Sequence, residues 1–435
     1  MNWMKPLRSF LLLPMQTAFD VYSPARIIPR SEHPISRKNI HPDALKVMYR
    51  LLQHGFVAYL VGGSVRDLIL GRPPKDFDVG TNATPNQIKR LFRNCFLVGR
   101  RFRLAHIRFG DHVVETATFR RTPDMDEEGD VCLVEDNCFG TPEEDALRRD
   151  FTINALFYNL KDFSVIDHVG GLEDIQNKVI RSIGDPRIRF QEDPVRMLRA
   201  IRFASRLGFS IEPNTYHAIV EQHSQIVRAP KPRLLDEILR LFAYGKAEPA
   251  FRLGYKTGLL HILIPDVADF LDYDRGQSSR LWSWLAALDA ITAADPTRST
   301  PAVCWATLLA PVLAWAGERR PQAQKGLPYA TVVREVVGPI LMDLGVPRWI
   351  QDRVMQILQY QKRFDPLAQK RFSKRGFMAQ AAFPETLTLF EVAARAGFGD
   401  GDTLRVWQEM AEDVSVPSGK PKGRPRPRRR RLALR

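Results

Sequence analysis

Asp76 and Asp78 stand one residue apart in YLVGGSVRDLILGRPPKDFDVG, residues 59–80. On an extended strand alternate side chains share a face, so both carboxylates project together while Phe77 turns into a core. Two carboxylates this close repel each other unless a cation sits between them. Hard oxygen ligands at this spacing suit Mg2+, which completes its shell with water and substrate phosphates. An isolated Asp-x-Asp is more often a turn or a solvated strand end. Here it follows a Gly62-Gly63 turn, where the missing Cβ atoms allow close approach of a ligand to the backbone, and a nearby Arg66-Asp67.

Other residues could join this chemistry. Glu115, in VVETATFRR, is either a third carboxylate facing Asp76 and Asp78 or an ordinary exposed strand residue. Arg148 and Arg149 offer guanidinium forks that match paired phosphate oxygens. At helical spacing the same residues read as i,i+4 ion pairs with Glu144 and Asp145. Asp193 precedes Pro194 in EDPVRMLRAIRF and has the form of an N-cap with proline at the first helical position. Arg199, Arg202 and Arg206 continue a basic stripe, either a phosphate or RNA contact or a solvated face. Arg100, Arg101 and Arg103 in LVGRRFRLAHIRFG read as a basic strand edge.

The elements that must position these groups follow from pattern. Tyr59–Val61 and Lys75–Val79 read as strands around a short helix over Val65–Leu70. Residues 44–52 have helical spacing, closed by Gly55. Further strands are expected at Cys95–Val98, Ala105–Phe109, Val113–Phe119, Val165–Asp167 and Val179–Arg181. Residues 143–160 read as one helix. Residues 121–142 are acidic and irregular, the expected place of a mobile loop. From about Gly184 the period is helical throughout, with ten candidate helices between Pro194 and Ala396. The expected organisation is a flexible leader (1–40), an α/β head (41–184), a helical neck (185–247), a helical body (248–413) and a disordered basic tail (414–435).

The chain has 435 residues and a net charge of +15. Residues 420–435 hold nine Lys or Arg and no acid, so the rest carries +6. Such a tail fits a polyanion and suggests sequence-blind, salt-sensitive contact with RNA or ribonucleoprotein. Cys95, Cys132, Cys138 and Cys304 form no CxxC pair and no zinc spacing, which fits reduced thiols and a cytoplasmic protein. No apolar run approaches 18 residues, so no membrane span is expected. The start, MNWMKPLRSFLLLPMQTAF, has a short apolar core broken by Pro14 and no clear cleavage site, so it reads as a leader. No Walker loop or RNA-recognition aromatic motif is present.

The segment around Asp76 and Asp78 resembles the catalytic signature of the nucleotidyltransferase superfamily, in the bacterial branch of class II CCA-adding enzymes and poly(A) polymerases. Arg148-Arg149-Asp150-Phe151-Thr152-Ile153-Asn154 is similar to that family's RRDFTIN motif, and the LVGRRFRLAH stretch is closer to the poly(A) polymerase subgroup. The resemblance spans about residues 26–250. It implies a nucleotidyltransferase head, with Asp76, Asp78 and Asp150 as catalytic acids. Two Mg2+ would sit on Asp76 and Asp78, with Glu115 as a further candidate ligand. ATP would be the substrate, bound by Gly62, Gly63, Arg66, Arg148, Arg149, Asn154 and Arg199, and RNA 3′ ends would accept AMP. Asp150 would support the metal site or position the phosphate-binding arginines.

The resemblance also marks Asp193 and Arg196 as the pair that reads the incoming base. A carboxylate accepts from an exocyclic amine while a guanidinium donates to the adjacent ring nitrogen. Adenine and cytosine present that pattern, and guanine and uracil reverse it. A mismatch leaves buried polar groups unpaired at about 1–3 kcal/mol each. The pair therefore admits ATP and CTP alike, and a CCA-adding tRNA nucleotidyltransferase stands as the alternative. An inactive RNA-binding protein and a small-molecule nucleotidyltransferase fit the intact acids, the helical body and the basic tail less well. No His-Asp dipeptide occurs, which argues against an appended phosphohydrolase.

Overall fold

The computed structural model describes residues 25–99, 103–121, 139–276, 279–320, 326–365 and 372–415. Arg100–Phe102, most of the acidic 121–142 stretch, Cys132, Cys138, the first 24 residues and the basic tail lie outside the described residues. The chain divides into two compact units, Met1–Leu241 with Pro249–Pro265, and Phe242–Glu248 with Asp266–Arg435.

The first unit is built on an eight-stranded sheet. Its strands are β1 (Arg26–Ile28), β2 (Ala58–Val61), β3 (Asp78–Thr81), β4 (Cys95–Val98), β5 (Leu104–Phe109), β6 (His112–Thr118), β7 (Leu156–Asn159) and β8 (Val165–Asp167), in spatial order β1-β8-β7-β2-β3-β6-β5-β4. The sheet is mixed. The β3–β6 pair is parallel and the others are antiparallel. A core of Val61, Phe119, Ala146, Ala155, Phe157, Val169 and Ile183 packs beside its centre.

Several expectations need correction. The leader does not run to residue 40: β1 pairs antiparallel with β8, and Ile28, Ile35 and Ile40 are buried. The 143–160 helix is only Pro142–Leu147, capped by a reciprocal Thr141–Glu144 box. Glu144 is thus used at the helix start rather than on Arg148. The chain then turns through Thr152–Asn154 into β7, which is paired on both sides and buried, so its apolar run carries no alternation to betray a strand. The strand bearing the acids starts at Asp78, leaving Asp76 just before it.

Helices take over after β9 (Val179–Ile180), broken by β10 (Ser210–Ile211), which pairs parallel with it. Those that shape the site are Pro186–Glu192, Val195–Leu207 and Lys231–Leu241. The expected 248–260 helix is two, Ala247–Lys256 and Leu259–Leu263, separated at Gly258 with φ +81°. In the second unit, all described elements are helical. Phe364, Phe377, Phe383 and Trp407 form an aromatic core there. Helix Pro301–Glu318 is long and apolar enough by composition to cross a membrane, against the expectation of no such run. It is 61% buried inside the protein, as a core helix is.

Candidate active site

The β2-to-helix turn fixes the floor of the site. Gly62 has φ +71° and ψ −132°, a conformation side-chain-bearing residues avoid, and its N–H donates to Leu156 O at 3.1 Å. A Cβ there would lie 2.9 Å from Arg149 Nη1. The glycine therefore leaves room for a guanidinium that donates to Asn154 O at 3.0 Å.

A cavity of ≈ 590 Å³ opens over this turn. Of the catalytic, nucleotide-binding and metal-binding residues that the resemblance implies, all line it except Asp76 and Glu115. Asp78 does line it, and Asp76, exposed just outside β3, is close enough for its charge to act on Asp78. Burial, then the charge of Glu115, push the Asp78 carboxyl up to about 6; Arg149 opposes this and Asp76 adds to it. Among the described residues no hydrogen bond offsets the shift. Glu115 lies beside Asp78 because β3 and β6 pair in parallel with Val79 opposite Thr116. It also approaches His106 Nε2 on β5, at 3.6 Å.

Asp145, buried and read from the sequence only as an ion-pair partner, anchors both arginines of the RRD motif. Arg148 Nε donates to its Oδ1 at 3.0 Å and Arg149 Nη2 to its Oδ2 at 2.9 Å. Arg189 Nη2 donates to the carbonyls of Arg148 and Arg149 at 2.6 and 2.7 Å, fixing the backbone of that turn.

Asp150 is committed to its own network. Its Oδ2 accepts from Arg199 Nε at 2.8 Å and Nη2 at 2.6 Å, and its Oδ1 accepts from Asn154 Nδ2 at 3.0 Å and from Phe151 N at 2.9 Å. Burial alone would raise this carboxyl; the Arg199 charge and these hydrogen bonds overcome it and hold it below the ordinary carboxylate value. Arg66 is buried and equally committed. It meets Asp67 Oδ1 through Nε at 2.8 Å and Nη2 at 2.7 Å, and Asn154 Oδ1 through Nη1 at 2.5 Å. The guanidinium expected to reach substrate thus braces the glycine turn against the Asn154 turn.

The basic stripe lines the cavity, and each of its arginines also meets an acid. Arg199 pairs with Asp150, Arg202 Nε meets Glu237 Oε2 at 2.8 Å, and Arg206 Nη2 meets Asp67 Oδ2 at 3.0 Å. These pairs fasten helix Val195–Leu207 to the sheet side and to helix Lys231–Leu241. Glu237 was missed, though an acid flanked by Leu234, Ile238 and Leu241 on an apolar face signals a buried pair. Asp193 lies one residue before Pro194, which caps the helix that begins at Val195. Its Oδ1 accepts from Val195 N at 3.3 Å, while Arg233 grips both oxygens. Arg196 Nη1 donates to Glu192 Oε2 at 2.9 Å and Arg189 O at 3.0 Å.

Asp78 and a row of arginines thus line one cavity, with Asp193 and Arg196 on its helical side and Asp76 just outside it. Residues 58–181 match the poly A polymerase head domain, and 208–271 match the probable RNA and SrmB-binding site of polymerase A. The poly(A) polymerase I of Salmonella typhimurium is 39% identical over 428 residues, 93% of this chain and 90% of that one. A CCA-adding enzyme of Geobacillus stearothermophilus is 36% identical over 246 residues, 56% of this chain and 60% of that one. The solved CCA-adding enzyme of Bacillus stearothermophilus in complex with CTP superposes with a TM-score of 0.62 at 27% identity, over 86% of this chain and 82% of that one. Likeness to the first relative along nearly its whole length, with a nucleotidyltransferase fold in the head, means that this chain belongs to the bacterial poly(A) polymerase I family of the class II nucleotidyltransferases.

Proposed function

We propose that this protein is a template-independent polynucleotide adenylyltransferase, transferring AMP from ATP to RNA 3′-hydroxyl ends and releasing pyrophosphate. The observation that carries the reading is Asp78: a half-buried carboxylate without an offsetting hydrogen bond, on the wall of a cavity whose other walls carry arginines.

That carboxylate tests the fit of a cation. Burial, Asp76 and Glu115 all disfavour its charge, so the acids as folded favour a bound divalent ion. Asp76 and Asp78 would hold two Mg2+, with Glu115 beside them. Bound there, Mg2+ supplies Lewis-acid activation of the 3′-hydroxyl and neutralises charge on the triphosphate. The chain's own residues do the rest. Arg148 and Arg149, held by Asp145, face the phosphates. Arg66 and Asn154 keep the Gly62-Gly63 turn in place for backbone contact. Asp150 orients Arg199 along the cavity wall. Asp193 accepts from the adenine amine while Arg196 donates to the ring nitrogen. A cytoplasmic location and an RNA-contacting basic tail are part of the same proposal.

The relationship favours polyadenylation over CCA addition because the poly(A) polymerase relative matches the helical half too. The test supplies a plain RNA oligomer and a tRNA lacking its CCA end, each with ATP or CTP alone. Long A tracts on the plain RNA are expected. CTP-dependent repair of the tRNA that then stops would overturn the reading.

A further inference from the structure

Behind the strand that carries the acids lies a second group of ligating side chains. His41 precedes helix Pro42–Gln53, Asp43 is in that helix's first turn, and His112 opens β6. One ligating atom from each lies within 4.8 Å of the others. The two imidazoles stack with centroids 3.8 Å apart. The His41 ring lies 6.3 Å from buried Phe77, the residue whose side chain turns away from Asp76 and Asp78.

Local structure explains two members. His41 Nδ1 accepts from Asp43 N at 3.2 Å and so caps the helix. Asp43 Oδ1 receives Lys46 Nζ at 2.8 Å. His112 has only the stack on His41 and the approach to Asp43. Its Nδ1 is buried, has no hydrogen-bond partner, and stands 3.4 Å from Asp43 Oδ2. His41 Nδ1 is 3.7 Å from the same oxygen. Ligand atoms around a tetrahedral ion with bonds of about 2.0–2.1 Å stand about 3.3 Å apart, so binding would draw the three side chains slightly together and take His41 Nδ1 from Asp43 N–H.

We propose that His41, Asp43 and His112 form a binding site for a divalent transition metal, separate from the Mg2+ site. Two imidazoles and one carboxylate select Zn2+, Co2+ or Ni2+ over Mg2+, which prefers oxygen donors and keeps its water. Three protein ligands leave one position for water. The ion would tie the start of the first helix to β6 and so brace Phe77 behind the catalytic strand.

The probe is Co2+ alone, added to the full-length protein with Mg2+ in excess to fill the acid pair. Visible d–d absorption and calorimetry report coordination and stoichiometry, and circular dichroism with a thermal melt checks that each variant is folded. One equivalent of Co2+ is expected, displaced by Zn2+. Loss of even an outer partner of a metal site costs about 10–100-fold in affinity, so His112→Ala and His41→Ala should each weaken binding by about tenfold or more. The Asp76→Ala/Asp78→Ala double variant should keep it. The proposal is overturned if the parent takes up no Co2+ under excess Mg2+, or if folded His112→Ala binds as tightly as the parent.

Discussion

Arg233 holds both carboxylate oxygens of Asp193, Nη1 on Oδ1 at 3.1 Å and Nη2 on Oδ2 at 2.8 Å. The residue proposed to read the base is therefore oriented by an arginine from a different helix, 40 positions on. A carboxylate has about four acceptor sites, so Asp193 can keep Arg233 and still accept from an adenine amine. Arg233 is half exposed and Asp193 about a quarter, so the pair contributes on the order of 1 kcal/mol, about fivefold in binding. Arg233→Ala should raise KM for ATP about that much, with kcat changing less. It should also relax rejection of GTP, because an unheld Asp193 can turn away from a mismatched base. Steady-state kinetics with ATP and GTP as competing substrates measure both.

The Asp78 carboxyl gives a pH dependence with a definite sign. Its ordinary value is 3.8 and its folded value about 6. Between these the folded state binds a proton that the unfolded state does not. Without a cation, Asp78 thus costs stability increasingly as pH rises from about 4 to about 6, and by a constant amount above that. Asp78→Asn should stabilise Mg2+-free protein at pH 7.5 by about 1 kcal/mol after allowance for solvent screening, seen as a higher melting temperature, with the gain vanishing near pH 4. The same variant should lose AMP incorporation and keep RNA binding. In the parent, protons and Mg2+ compete at Asp78, so activity at sub-saturating Mg2+ should fall as pH drops below about 6. Melting curves and primer extension across that range decide it.

Gly62 and Gly71 separate backbone strain from crowding. Both have positive φ, +71° and +67°, but a Cβ at 71 meets nothing within 4 Å, whereas one at 62 meets Arg149 Nη1 at 2.9 Å. Gly71→Ala should cost only the strain of its backbone, about 1 kcal/mol. Gly62→Ala adds displacement of Arg149 from Asn154 O, and should lower kcat/KM for ATP about tenfold beyond any stability loss. Paired melts and kinetics of the two variants test whether the crowding matters to catalysis.

Much of this site was legible because its chemistry is local. Asp76, Asp78 and the glycine turn lie within 17 positions of one another; strand alternation reached Asp78, while Asp76 stands just before β3 and acts on it through its charge. The arginine partners were not legible, because each is met across the fold: Arg199 by Asp150, Arg206 by Asp67, Asp193 by Arg233. Charge type at helical spacing marks a stripe but cannot say what faces it. The same limit hid β7 and β1. A strand buried between two neighbours has no polar alternation, and a three-residue strand at the sheet edge is defined by pairing with β8 rather than by its own sequence.

Asp150 distinguishes positioning from metal binding. All four of its contacts are hydrogen bonds from Arg199, Asn154 and the Phe151 N–H, and they hold its carboxyl low despite burial. A carboxylate so occupied orients Arg199, which in turn reaches Glu237 at 3.4 Å. Asp150→Asn keeps the shape but loses the charge facing Arg199, a cost of about 2 kcal/mol at a buried pair. Mg2+ affinity measured by calorimetry should be unchanged, while KM for ATP rises and the melting temperature falls. Arg199→Lys should give the same direction, since an ammonium cannot engage Asp150 and Glu237 as a fork. If Asp150→Asn instead abolished Mg2+ binding as Asp78→Asn is expected to, Asp150 would be a ligand and its link to Arg199 incidental.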